Sequence, residues 1–144
     1  MQGHVNYIAV LVAAIIAMTI GFGWFSRPLF GTLWMRIIGA DKLTREDLDR
    51  MQQEVKPLFA VMFIGTLFSA AVLARFIAWT GLESMGGGLQ VAFWVWIGFA
   101  VPYALGEAIF GGKDKDLLWP TFFVQAGHRL ISLLAMGAII GVWR

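Results

Sequence analysis

The chain has 144 residues, of which 59% are hydrophobic and only 14% are charged. Soluble globular domains average about 45–50% apolar and about 25% charged residues, so this composition excludes an ordinary soluble domain. The net charge of +2, without a basic arm, argues against nucleic-acid binding. Because the sequence contains no cysteine, it excludes disulfides, thiolate nucleophiles and cysteine-based metal sites.

Four apolar stretches are each long enough to cross a lipid bilayer as a helix. They cover residues 5–25, 57–79, 89–110 and 118–143. A helix of about 20 apolar residues spans a hydrocarbon core about 30 Å thick. The predicted fold is therefore all-α, a four-helix transmembrane bundle that forms a single integral membrane domain over residues 1–144. The first stretch lacks the basic n-region of a cleavable signal peptide, so we expect it to be retained.

Small residues recur at a spacing of four in several of the predicted spans. Rows of this kind let helix backbones approach closely in lipid, where packing drives association. The residues are Ala9, Ala13, Ala17 and Gly21 in the first span, Gly98 and Gly106 in the third, and Gly137 and Gly141 in the fourth. We expect all of them to mediate helix packing. Pro102, between the two glycines of the third span, should kink that helix.

The connections between the spans contain further local signals. Residues 29–39 place aromatic and aliphatic side chains at helical spacing but are too few to span, so we expect a short interfacial helix. Thr44 is typical of an N-cap, and it predicts a short solvated helix from about Arg45 to Val55. The glycine run at residues 86–88 is expected to form a loop. Four tryptophans should anchor the bundle at the membrane interfaces: Trp24, Trp34, Trp119 and Trp143.

The distribution of lysine and arginine predicts the orientation. The first loop carries Arg27, Arg36, Lys42, Arg45, Arg50 and Lys56. The loop between the third and fourth spans adds Lys113 and Lys115, whereas the opposite side has Arg144 and at most Arg75. The positive-inside rule places both charged loops in the cytoplasm and both termini on the outer side.

Polar side chains inside a membrane are costly, so each is by default a functional hypothesis. One polar stripe lies on the fourth span, formed by Gln125, His128, Arg129 and Ser132. Near the inner end of the third span, Tyr103 and Glu107 share a face. We expect the bundle to bury the stripe against Glu107 and Tyr103, with Asn6 or Thr19 as further partners. An ion pair between Arg129 and Glu107 is the central expectation.

Several interpretations of this stripe stay open. The three interpretations are a polar staple that fixes helix register, a proton or anion site, and an arginine that snorkels to the headgroups. His128 is also a candidate ligand for a metal, a haem or a pigment, but a lone histidine more often only hydrogen-bonds. The other histidine, His4, is expected at the outer end of the first span, far from the middle depth expected for His128. We therefore expect neither a metal nor another cofactor. No nucleophilic triad, metalloprotease motif or phosphate loop is recognisable, so we expect no enzymatic activity.

Two motifs resemble a known family. The first reads NYIAV at residues 6–10 and GFGWFSRPLFGTLW at residues 21–34. The second reads QAGHRL at residues 125–130 and MGAIIGVW at residues 136–143. Both are similar to small bacterial four-helix membrane proteins known as domain of unknown function 1761. The family usually has Trp-Tyr-Ser-Pro where this chain has Phe25 and an inserted Arg27, and usually Tyr where this chain has His128. The resemblance implies a multi-pass protein of a bacterial inner membrane and leaves the function open.

Three functional hypotheses remain. The leading one is a non-catalytic accessory or structural subunit of a larger membrane complex, since the chain offers small-residue faces but no soluble domain. The alternative is a small homo-oligomeric transporter or channel that uses the polar stripe and the Pro102 kink. A cofactor-binding protein that uses His128 is the least favoured. The expected partners are the lipid bilayer and other membrane subunits or further copies of the chain.

Overall fold

A computed structural model describes residues 3–112 and 114–143 of the chain. Its α-helices are α1 (Tyr7–Trp24), α2 (Gly31–Ile37), α3 (Arg45–Val55), α4 (Leu58–Thr80), α5 (Met85–Val95), α6 (Val101–Phe110) and α7 (Leu118–Val142). A π-helical segment, Trp96–Ala100, joins α5 to α6, and 3₁₀ turns lie at Ala40–Lys42 and Lys115–Leu117. Lys113 and Arg144, which contributed to the predicted orientation, lie outside the described residues.

Four helical stretches are long and apolar enough to cross a membrane. They are Tyr7–Trp24, Leu58–Thr80, Met85–Phe110 and Lys115–Val142. Each agrees with a predicted span to within a few residues, so the prediction of an all-α fold with four candidate spans is confirmed. Large apolar side chains point away from the bundle, among them Phe68 and Trp94. Lipid is the solvent that such a surface requires, and the chain is a multi-pass membrane protein.

Helix α7 lies at the centre of the bundle. It packs against α1, α4, α5 and α6, and α2 also contacts it. The alanine row of α1 is buried, with Ala9 and Ala13 at 0% exposure and Ala17 at 5%. Leu73 and Ile77 of α4 are fully buried in the same core. Small residues on one helix and aliphatic side chains on the next thus set the helix separation.

The prediction of a loop at residues 86–88 is wrong, because these glycines form the first turns of α5. Ser84 caps the helix, and its hydroxyl accepts a hydrogen bond from the N–H of Gly87 at 3.0 Å. Glycine is a poor helix former in isolation, with a cost of about 1 kcal/mol relative to alanine. Tertiary contact with α7 outweighs that preference here.

The start of α5 contacts the end of α7 through backbone atoms. A Cβ built on Gly88 would overlap the carbonyl of Gly137, and one built on Gly137 would lie 2.8 Å from the Cβ of Ala92. A Cβ on Gly141 would overlap the carbonyl of Ser84. The helices meet this closely because neither carries a side chain at the crossing.

The third span is irregular near Pro102. The irregularity takes the form of a π-helical segment. Pro102 has no N–H to donate to the carbonyl of Gly98. One residue earlier, the N–H of Val101 reaches the carbonyl of Trp96, which is the wide i→i+5 bond of a π turn. Gly98 and Gly106, which the sequence predicts to mediate helix packing, do not pack against another helix of the described chain. Apart from the backbone of their own helical turns, no described atom lies within 4 Å of a Cβ built on either glycine.

The first connection forms the two predicted short helices, α2 and α3. The hydroxyl of Thr44 accepts a hydrogen bond from the N–H of Asp47 at 3.2 Å, so the predicted N-cap is confirmed. None of the residues of α3 is buried. The start of α2 is held tightly, because the N–H of Gly31 donates to the carbonyl of Ser26 at 2.8 Å. A Cβ on Gly31 would lie only 2.6 Å from that carbonyl.

Candidate functional site

The structure brings Arg129 of α7 and Glu107 of α6 together. Nη2 of Arg129 lies 2.9 Å from Oε2 and 3.1 Å from Oε1 of Glu107, so one nitrogen donates to both carboxylate oxygens. The two side chains are 29% and 43% exposed. Nη1 of Arg129 is buried and has no hydrogen-bond partner among the described residues. The contact is thus not the two-nitrogen fork of an ideal arginine–carboxylate pair, but it ties the end of α6 to the middle of α7.

His128 lies in an aromatic environment at the junction of α1, α2 and α7. Its ring centroid is 5.1 Å from that of Phe25 and 6.4 Å from that of Trp24. Nε2 is buried without a hydrogen-bond partner in the described part of the chain. A Cβ on Gly21 would lie 3.2 Å from this nitrogen. Gly21, expected to bring two backbones together, therefore makes room for the imidazole.

Two tryptophan side chains hold α7 from different helices. Nε1 of Trp24, at the end of α1, donates to the carbonyl of Val124 at 3.1 Å. Nε1 of Trp96, in the π segment, donates to the carbonyl of Ala126 at 2.8 Å. The indole of Trp24, predicted to be an interfacial anchor, is thus half-buried and finds its acceptor on α7. Gly127 admits the ring, since a Cβ there would lie 2.9 Å from Cζ2 of Trp24.

The other predicted interfacial tryptophans have different surroundings. Trp34 of α2 packs on Phe25, with ring centroids 5.1 Å apart. Trp119 and Trp143 stand near the two ends of α7 and are 59% and 44% exposed. These last two positions are compatible with contact to the two membrane surfaces.

The other side chains of the predicted site do not come together around Arg129 as expected. Tyr103 is 75% exposed, so the prediction that it is buried against the stripe is wrong. Glu107, one turn further along α6, does reach Arg129 of α7. Ser132 is buried at 8% exposure, and its hydroxyl lacks a partner among the described residues.

The expected partners from α1 are used locally instead. The side chain of Asn6 caps α1 by accepting hydrogen bonds from the N–H groups of Ile8 and Ala9 at 3.0 and 3.2 Å. The hydroxyl of Thr19 donates to the carbonyl of Ile15 at 2.9 Å. Both polar groups are thus satisfied within their own helix. Sequence reasoning missed Trp96 and Gly127, although a glycine beside a candidate histidine was a signal.

A cleft of about 690 Å³ opens beside the ion pair, where α6 ends and α7 begins. Its lining includes Glu107 and Gln125 of the predicted site together with Arg36, Lys42 and Asp114. Within the described ranges, no group of three or more histidine, aspartate or glutamate side chains is placed to hold a metal ion. The charged side chains, the amide of Gln125 and the hydroxyl of Thr121 are groups that can bind a polar ligand.

Comparison with known proteins gives one informative result. Neither a curated protein nor a solved structure matches the chain. The model of DUF1761, described as a protein of unknown function, matches residues 8–141. This range includes the four candidate spans almost entirely, together with Glu107 and Arg129. The chain belongs to the DUF1761 family.

Proposed function

We propose that this protein is a non-catalytic subunit of a larger complex in a bacterial inner membrane, and that it binds its partner through the outer face of α6 and of the π segment before it. The observation that carries the proposal is the open row of small residues on this side of the third span. Gly98 and Gly106 have no described atom within 4 Å of a Cβ position. By contrast, the corresponding rows of α1 and α7 are used inside the bundle.

The large side chains on the same helix also favour a protein neighbour. Phe99 and Phe110 are 70% and 89% exposed, and they flank the open row. Such a surface has shallow positions bordered by aromatic rings, which suits the close approach of another helix. In the bundle itself, α6 packs chiefly against α7, so most of its circumference is available.

Tyr103 gives a second and independent argument. Its hydroxyl has no hydrogen-bond partner among the described residues, and the side chain is 75% exposed. The residue lies about 10 Å from the end of α6 at Phe110. A polar group that faces hydrocarbon without a partner is costly. A neighbouring subunit can supply the missing acceptor, whereas a lipid acyl chain cannot.

The polar stripe of α7 supports a structural role better than a catalytic or transport role. Arg129 is held by Glu107, and His128 is enclosed by aromatic rings. After Ser132, α7 continues to Val142 with apolar residues and glycine only. A single chain therefore lacks a polar row across the membrane, so the alternative of a transporter or channel requires several copies. Neither that alternative nor a cofactor bound to His128 has further support.

Purification from native membranes in mild detergent tests the proposal. Wild type and Gly65→Leu should retain a partner chain, whereas Gly106→Leu and Gly98→Leu should lose it. Gly65 is the matched control because a Cβ built there also meets nothing within 4 Å, but it lies on α4. Unchanged thermal unfolding of each variant in detergent would show that the bundle stays intact. Recovery of this chain alone from wild-type membranes, or equal retention by all variants, would contradict the proposal.

The proposed orientation, with both charged loops in the cytoplasm, has a separate test. Because the chain contains no cysteine, single cysteines can report the sidedness. Asp49→Cys on α3 should be protected from an impermeant thiol reagent in intact cells. Leu82→Cys in the turn between α4 and α5 should react. The opposite pattern would invert the topology.

A further inference from the structure

The cleft beside the ion pair has a location that limits what it can bind. It lies between α2 and the corner formed by the end of α6 at Phe110 and the start of α7 at Leu118. Candidate spans end at this level, where the hydrocarbon core gives way to lipid headgroups. The polar part of a ligand in the cleft therefore lies at the depth of the lipid headgroups, and its apolar part lies against the surface of the bundle.

The two walls of the cleft carry different charges. Arg36 and Lys42 stand on the wall formed by α2 and the 3₁₀ turn after it, beside Asp41. Glu107 and Asp114 stand on the opposite wall, formed by the end of α6 and the segment before α7. Among the described residues, only Glu107 of these takes part in an ion pair. Arg36 and Lys42 therefore face two carboxylates. Glu107 already holds Arg129, and one oxygen of Asp114 accepts a hydrogen bond from the N–H of Asp116.

Uncharged groups complete the lining. Gln125 and Thr121 offer an amide and a hydroxyl from α7, and Trp34 and Ile38 give α2 an apolar contribution. A ligand that matches this lining carries a negative group, a positive hydrogen-bond donor and an apolar part. A free inorganic anion would satisfy only one wall, and a purely apolar molecule would leave the charged groups unpaired.

We propose that the cleft binds the headgroup of a phospholipid that carries both a phosphate and a primary ammonium group. The phosphate lies against Arg36 and Lys42, which supply charge-assisted hydrogen bonds. The ammonium lies against the carboxylates of Asp114 and Glu107. The glycerol and the first acyl carbons contact Trp34. This lipid site does not depend on the proposed subunit role, because it uses α2 and the α6–α7 corner rather than the outer face of α6.

Lipid competition in nanodiscs tests this proposal. The purified protein is reconstituted in equal amounts of phosphatidylethanolamine and phosphatidylglycerol, and the lipids that remain bound are measured by native mass spectrometry. We expect phosphatidylethanolamine to be enriched. Phosphatidylcholine, whose trimethylated ammonium donates no N–H hydrogen bond, should compete less well. Soluble glycerophosphoethanolamine, which lacks acyl chains, should compete weakly.

Two substitutions on opposite walls locate the site. Arg36→Gln and Asp114→Asn should each reduce the enrichment by about threefold to tenfold, since each removes one exposed charge-assisted contact. The matched controls Arg45→Gln and Asp49→Asn on α3, outside the cleft, should leave it unchanged. Equal retention of the two lipids by wild type would overturn the proposal. So would equal effects in cleft and control variants, or full displacement by the soluble headgroup, which would indicate a soluble ligand instead.

Discussion

The two ends of the bundle are packed by different means. Where α5 begins and α7 ends, Gly88 and Gly137 bring two backbones into direct contact. Where α1 ends against the first half of α7, bulky rings fill the space, with Trp24 and Phe25 against His128. One end is held by the absence of side chains and the other by large side chains with specific hydrogen bonds. The first arrangement is compact and uniform, whereas the second leaves a cleft and polar atoms to interact with other molecules.

This difference indicates where the chain can change without loss of the fold. A backbone contact tolerates no added atom on either helix. The aromatic end depends on a few directional contacts, each of moderate strength. We therefore expect substitutions to have their largest effects at the glycine end and smaller, separable effects at the aromatic end.

The largest effect should come from Gly88→Ala. Its methyl group would overlap the carbonyl of Gly137, so α5 and α7 must move apart. We expect the free energy of unfolding to fall by about 3 kcal/mol, as measured by SDS titration in mixed micelles. Gly98→Ala is the control, because a Cβ there meets no described atom within 4 Å. Equal stability of the two variants would show that the two ends do not differ as proposed.

The next effect should come from loss of the ion pair. Glu107→Gln leaves Arg129 partly buried without its counter-charge, and we expect a loss of about 2 kcal/mol in the same titration. The side chains are 29% and 43% exposed, so we expect less than for a fully buried pair. The double variant with Arg129→Gln should be less destabilised than the sum of the two single variants. Additive losses would mean that the two side chains are not coupled.

A smaller effect should come from Trp24→Phe. The ring is largely retained, but the hydrogen bond of Nε1 to the carbonyl of Val124 is lost. We expect a loss of about 1 kcal/mol in the free energy of unfolding. Trp119→Phe serves as control, since the Trp119 side chain is 59% exposed. If both variants unfold alike, the indole hydrogen bond does not hold α1 on α7.

The smallest effect, and of opposite sign, should come from Ser132→Ala. The buried hydroxyl of Ser132 has no partner among the described residues, so its removal should raise the free energy of unfolding by about 0.5 kcal/mol. Ser69→Ala should give no gain, because the hydroxyl of Ser69 donates to the carbonyl of Gly65 at 3.2 Å. A clear loss of stability in Ser132→Ala would point to an acceptor for this hydroxyl.

Apolar length made the four spans predictable, because the bilayer imposes one requirement on every span. The approach of Arg129 to Glu107 was predictable as well, since few charges lie within the spans and each needs a partner. The helical glycines at residues 86–88 were not, because local preference favours a loop and only the contact with α7 reverses it. The burial of the Tyr103 side chain was predicted wrongly for a related reason. Spacing of four shows which residues share a face but not the direction in which that face points.

The π segment Trp96–Ala100 has a consequence for the alignment of related chains. A π turn contains one residue more than an α turn, and each residue of a helix rotates the following part by about 100°. The wider π turn absorbs its extra residue locally, so the helix beyond it keeps nearly its direction. A chain that lacks one residue between Trp96 and Ala100 should therefore continue as a regular α-helix, with the carboxylate at the position of Glu107 still near the arginine on α7. A one-residue deletion elsewhere in the third span, before Glu107, would instead turn that carboxylate by about 100°.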